Sequence, residues 1–255
     1  MEVFRNTWWA LGQIYYELGA LGFRVNLLWF VCLLPYLGYM VFFVLNPLLV
    51  AAGASIGATI GGRIPVEQIP SLSFLFAVVG TLVTAAIAGP ATAALTEAAH
   101  EFIEGESVGA RTFVRGFRRN FFRGWLFLVV DLYVLYGLII GFVFYTGTGQ
   151  LPLQALGILS LYLVFLWAAA QAYFWPLGFR YRLAIHHTVR NATVMALSAF
   201  VPSLMYVLVA LVTTFLSVLM LIPLMFLSGA TLAMVGHRMT EDRLRAFGVD
   251  PSTGE

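Results

Sequence analysis

Residues 193–236 form a run of 44 without a single charged side chain. A helix rises about 1.5 Å per residue and the hydrocarbon core of a bilayer is about 30 Å thick, so roughly 20 apolar residues make one crossing. The run therefore predicts two crossings, near 195–221 and 223–236. Pro223, where a helix loses a backbone hydrogen bond, is the place to divide them. Four earlier apolar stretches have similar length, at 25–45, 72–96, 125–145 and 153–175. Hydrophobic residues make up 61% of the chain and charged residues only 10%. A soluble domain carries about 25% charged residues, so the solvent for most of this chain must be lipid. The expected fold is all-α: a polytopic transmembrane helical bundle of about six spans, with interfacial amphipathic helices at its margins.

Arg placement sets the expected orientation. All 14 basic residues are Arg. Arg111, Arg115, Arg118, Arg119 and Arg123 follow the second stretch, and Arg180, Arg182 and Arg190 follow the fourth. Arg238, Arg243 and Arg245 lie near the C-terminus, with Arg5 and Arg24 near the N-terminus. Arg63 alone falls on the other side, so 13 of 14 share one side, which is predicted to be cytoplasmic. Both termini are then inside, which requires an even number of spans. The domains expected are an N-terminal interfacial helix at 1–24, a transmembrane domain at 25–236 and a cytoplasmic tail at 237–255. No cleavable signal is expected, because the first long apolar run begins only near Val25.

The N-terminal segment places Phe4, Trp8, Leu11, Tyr15 and Leu18 on one helical stripe, with Glu2, Arg5, Asn6, Gln13 and Glu17 on another arc. Such a helix lies in the membrane interface, where aromatic rings are favoured. Asn46 and Pro47 open a second unusual segment, in which Gly53, Gly57 and Gly61 recur every four residues. That spacing allows close helix packing. A short re-entrant or surface helix and a flexible apolar loop are both compatible with it.

After Ser107, a reasonable N-cap, Arg111, Arg115, Arg119 and Arg123 recur every four residues, as do Phe113, Phe117 and Phe121. The Arg stripe is either a docking surface for an anionic partner or an interfacial helix meeting anionic lipid headgroups. Asp131 stands six residues beyond Trp125, roughly 9 Å deeper along a helix. A carboxylate at that depth must be paired, protonated or facing water. It is either an ion or substrate contact or a packing hydrogen bond, with Gln171 or a Tyr hydroxyl as partner.

Glu97, His100, Glu101 and Glu104 share one helical face. A Glu-x-x-His spacing can contribute to a carboxylate metal site, but no further ligand can be named, and a solvated helix end is the plainer reading. No nucleophile elbow, phosphate-binding loop, dinucleotide fingerprint or paired-Cys motif is present. No catalytic residue, cofactor or metal is therefore expected, and the protein is not expected to be an enzyme. The single Cys32 excludes an internal disulfide. A net charge of +2 gives no reason to expect nucleic acid.

Several segments resemble the YesL-like bacterial membrane proteins. Asn26-Leu-Leu-Trp-Phe-Val-Cys-Leu-Leu-Pro35 resembles that family's first span, and Gly89-Pro-Ala-Thr-Ala-Ala-Leu95 its most recognisable motif. Phe113-Val-Arg-Gly-Phe-Arg-Arg-Asn-Phe121 is similar to its cytoplasmic segment, Asp131-Leu-Tyr133 to its third span, and Arg190-Asn191-Ala192 to a later element. The chain departs from the pattern where residues 39–88 intervene between the first two motifs. The resemblance implies a multi-pass protein of the bacterial cytoplasmic membrane, associated with carbohydrate uptake, and no established activity. The expected function is an accessory or assembly component of a membrane transport complex; the alternatives weighed beside it are, second, a transporter or channel for a small solute in its own right and, third, an intramembrane enzyme using Asp131 or the Glu97–Glu104 face. Arg119-Asn120 and Arg190-Asn191, each preceding a span, give the second a faint sign of two related halves. The enzyme reading lacks any nucleophile–base pair. Membrane lipids and a homo-oligomer are the remaining expected partners.

Overall fold

The structure is a computed structural model that describes residues 5, 6, 8–10, 12, 24–39, 69–148, 150–220 and 228–250, with backbone alone over 69–77 and 217–220. Among the described residues it is all-helical, without strands. The helices are α1 (Asn26–Tyr39), α2 (Ile69–Ile103), α3 (Ala110–Arg119), α4 (Phe121–Gly147), α5 (Leu151–Phe179), α6 (Ile185–Ser198), α7 (Phe200–Met220) and α8 (Gly229–Ala246).

The bundle is organised around α2. Ala85, Ala88, Ala91, Ala93, Ala94, Ala98 and Ala99 are all buried along it. Such small side chains let neighbouring helices approach closely. Half of the apolar window of α2 is buried, against 17% in α4 and in α5. The two outer helices instead expose Ile140, Val143, Phe144, Leu151, Ile158 and Phe165. A continuous apolar surface of this kind marks a membrane or partner-binding face.

Two features of the Gly89–Leu95 motif explain its composition. Gly89 and Pro90 meet Gly124 of α4 backbone to backbone, and a Cβ on Gly124 would lie 2.8 Å from the Gly89 carbonyl oxygen. One turn further on, Thr92 Oγ1 donates to the Ala88 carbonyl at 2.9 Å and accepts from Trp29 Nε1 of α1 at 3.2 Å. The segments Asn26–Pro35 and Gly89–Leu95 are thus packed together.

Helix α2 ends in a tight reversal. Gly105 adopts φ +84°, a left-handed conformation that glycine takes without steric cost. Glu106 N donates to Glu101 O at 3.0 Å and Gly105 N to Phe102 O at 3.0 Å, the paired bonds of a Schellman cap. Helix α3 then begins behind Gly109, whose backbone is extended. Ser107 therefore lies upstream of the helix start and does not provide the expected cap.

Three helices are long and apolar enough to cross a membrane, in segments Val78–Ile103, Phe121–Gly147 and Leu151–Phe179. A fourth is reached if the pair α6 and α7 is one broken span. Within residues 193–236 the chain also bends at a position that the absence of charge does not mark. The break lies at Ala199, where α6 and α7 meet at 103°. Pro202 sits in the first turn of α7, where a missing N–H costs nothing. Pro223 lies outside the described residues. Residues 237–246 continue α8 as a packed helix, with His237, Met239, Thr240 and Glu241 buried. Gly53, Gly57 and Gly61 lie outside the described residues, as does most of 1–24.

Candidate functional site

The segments rich in Arg gather at one end of the bundle, and acidic residues of α2 and α8 face them. Glu97 of α2 takes an ion pair from Arg119 and accepts Asn120 Nδ2 at 3.0 Å. Glu101 accepts both bonds of Arg115, at 3.1 and 3.2 Å. Arg180, at the end of α5, pairs with Glu241 of α8 and lies 4.0 Å from Glu104. Arg123 Nη2 donates to the carbonyls of Gly178 at 2.9 Å and Leu183 at 2.6 Å. It thereby gives the Gly178 carbonyl, in the last turn of α5, a partner, and joins Thr188 Oγ1 in donating to the Leu183 carbonyl in the turn to α6. Arg182 in that turn has φ +51°.

The Arg stripe is therefore divided in use. Arg115, Arg119 and Arg123 are engaged within the fold. Arg111 and Arg118 point outward beside Val114 and Phe122. The matching Phe stripe is a ladder of rings, with Phe113–Phe117 centroids 6.4 Å apart and Phe117–Phe121 6.0 Å apart. Of Glu97, His100, Glu101 and Glu104, Glu104 lies at the solvated helix end, its side chain 50% exposed, and the other three are largely covered. The side chains of Glu97 and Glu101 are only 10% and 17% exposed, because α3 folds back over α2. His100 contacts Glu104 at 3.3 Å and stacks on His237 with ring centroids 5.4 Å apart. Among the described residues no group of three or more His, Cys, Asp or Glu is placed to hold a metal.

His237 is fully enclosed. Its Nε2 lies 2.8 Å from the Thr96 carbonyl, so this nitrogen carries the proton and donates it. Nδ1 is buried without a partner. A second proton there would leave an unsatisfied charge, and burial holds the pKa of His237 down to about 3. At the other end of α8, the side chain of Asn26 reaches from α1. Its Oδ1 accepts Ala230 N at 2.9 Å, satisfying one of the N–H groups that a helix start leaves without an intrahelical acceptor.

The structure brings Asp131 and Gln171 together. Gln171 Nε2 donates to Asp131 Oδ1 at 2.7 Å, and Trp167 Nε1 donates to the same oxygen at 2.9 Å. Trp167 was not foreseen, although it lies one helical turn before Gln171 and hence on the same face of α5. Asp131 is 8% exposed. It lines a cleft of about 240 Å³ between α4, α5 and α6, walled by Val134, Leu138, Leu163, Leu166 and Ala192. Gln171 also lines a second cavity of about 160 Å³ on the opposite side of α5, bounded by Trp29, Thr92 and Tyr206. Neither an indole nor an amide titrates near neutral pH. The arrangement can accept hydrogen bonds and balance a positive charge.

The Arg-Asn pairs do not occupy equivalent places. Asn120 forms the joint between α3 and α4, whereas Asn191 lies within α6, well before the bend at Ala199. Comparison with protein-family models, curated proteins and solved structures finds no match for this chain.

Proposed function

We propose that this chain is a YesL-like multi-pass protein of the bacterial cytoplasmic membrane, with six spans and both termini inside. It serves as an accessory or assembly component of a transport system for carbohydrates. The family context rests on the sequence motifs. The observation that carries the accessory reading is the division of the Arg stripe. Arg115, Arg119 and Arg123 hold the basic end rigid, while Arg111, Arg118 and the 77%-exposed Phe122 form an outward basic and aromatic face without an internal use. Such a face suits an anionic or amphipathic partner at the inner surface.

The test is purification of the tagged protein from its native membrane in mild detergent, with mass spectrometry of what accompanies it. A stoichiometric transport subunit is expected, and the Arg111→Glu/Arg118→Glu variant is expected to lose it while remaining folded. A lone protein, or a partner retained by that variant, would remove this face from the argument.

A second reading, a transporter for a small solute, is favoured by one observation: the acceptor-lined cleft at Asp131. Flux in liposomes that falls in Asp131→Asn supports it. Absence of flux for sugars and ions with the native protein sinks it.

A further inference from the structure

The cleft at Asp131 has a feature that goes beyond the accessory reading and does not depend on it: its polar groups are acceptors. Both donors that reach Asp131 are spent on Oδ1. Oδ2 accepts nothing from the described residues. The Gln171 amide nitrogen is turned to the carboxylate, which leaves its Oε1 without a described partner. Thr193, on the α6 wall, gives its hydroxyl proton to the Val189 carbonyl at 2.8 Å, so its oxygen too can only accept. No Arg or His of the described residues forms an ion pair with Asp131. A carboxylate within a span ordinarily has a paired charge or water. The rest of the cleft wall is aliphatic and aromatic.

A ligand that complements these walls must bring donors, positive charge and an apolar body. An ammonium group has three donors and no acceptor. A hydroxyl supplies a single donor and no charge. We propose that this cleft binds a small apolar amine, its ammonium group on Asp131 Oδ2 and its hydrocarbon along α4, α5 and α6. The volume of about 240 Å³ suits a short-chain amine rather than a large ligand. Ammonium groups also occur on lipid headgroups. Asp131, however, lies roughly 9 Å along α4 from Trp125, deeper than a headgroup amine sits if that Trp marks the interface.

The protein, in phosphatidylcholine nanodiscs at pH 7, is titrated with hexylamine and separately with hexanol, with empty nanodiscs as background. Saturable hexylamine binding is expected, weakened about tenfold or more in Asp131→Asn, as for loss of a charge-assisted contact. Hexanol is expected to bind more weakly and equally to both proteins. Equal hexylamine binding by native protein and Asp131→Asn overturns the proposal, as does the absence of saturable binding. If Asp131→Asn does not fold, Val134→Phe fills the cleft and leaves the Asp131 bonds in place. Retained binding in that variant overturns the proposal. Repeating the titration with phosphatidylethanolamine in the nanodiscs separates the two sources of ammonium. Unchanged hexylamine binding supports the free amine, and its loss overturns that assignment in favour of the lipid headgroup.

Discussion

The crossing of α2 and α4 allows a steric term to be measured with its own control. A Cβ on Gly124 would lie 2.8 Å from the Gly89 carbonyl oxygen and 2.8 Å from Pro90 Cα. Carbon contacts are optimal at about 3.5–4.0 Å, so the two backbones must part by about 0.7 Å. Neither obstacle is a side chain that can rotate away. Overpacking of this kind costs about 1–3 kcal/mol. Against it, Ala is favoured over Gly inside a helix by up to about 1 kcal/mol. Gly124→Ala is therefore expected to destabilise by about 1 kcal/mol net, the steric cost exceeding the propensity gain. Gly137 lies on the same helix, and a Cβ there meets nothing within 4 Å. Gly137→Ala keeps the propensity gain alone and is expected to stabilise by about 0.5–1 kcal/mol. The difference between the two variants is the steric term itself. Unfolding in mixed micelles, followed by circular dichroism, should rank Gly137→Ala above native protein and native protein above Gly124→Ala. Equal midpoints for the two variants would refute the close crossing.

Two further outcomes are expected at the basic end. Arg123→Met leaves the buried Gly178 carbonyl without its donor, while the Leu183 carbonyl keeps Thr188 Oγ1, and leaving a buried acceptor unpaired costs about 1–3 kcal/mol; the same unfolding assay checks it, and an unchanged midpoint refutes the pinning role of this side chain. His237 should make stability depend on pH, because its folded pKa of about 3 lies below the ordinary value of 6.5. Between those values the unfolded chain binds a proton that the folded chain does not. Its contribution is thus fully present above about pH 6.5 and is lost as pH falls toward 3, by at most about 1.4 kcal/mol per pH unit. His237→Gln should flatten that part of the stability–pH curve, and an unchanged slope would show that another group is responsible.

What the sequence reveals and what it hides follow from the kind of signal each feature leaves. Apolar length locates α2, α4 and α5 because a long hydrocarbon-facing helix needs nothing but composition. It does not mark the bend at Ala199, because the absence of charge says nothing about direction. The useful marker was Pro202, which cannot donate to a helical carbonyl and so belongs in a first turn. Asp131 is conspicuous in sequence because an acid in an apolar run is rare, and Gln171 because it is an amide well inside the following stretch. Trp167 is inconspicuous, since an indole in a membrane helix has a plain reading as packing. Its donor role depends on which way one helix face turns. Asn26 capping α8 across the fold is beyond any local pattern, because its partner lies 204 positions away.

Arg placement carries two messages that the sequence superimposes. Orientation depends only on how many Arg lie on one side, so Arg111, Arg115, Arg119 and Arg123 count equally toward it. Availability to a partner depends on whether a carboxylate or carbonyl of the same chain already holds the guanidinium. Helical spacing does not distinguish these cases, because Glu97 and Glu101 are themselves four residues apart on α2. Two parallel rows with the same period then meet, with Arg119 on Glu97 and Arg115 on Glu101. The regularity that made the stripe look like a docking surface is the regularity by which α3 locks onto α2. Arg118 breaks that period, and Arg111 lies beyond Glu101, the last acid of that row to pair with α3. Partner release by Arg111→Glu/Arg118→Glu, with partner retention in a variant altered at Arg115 that still folds, is the pattern that separates docking from locking.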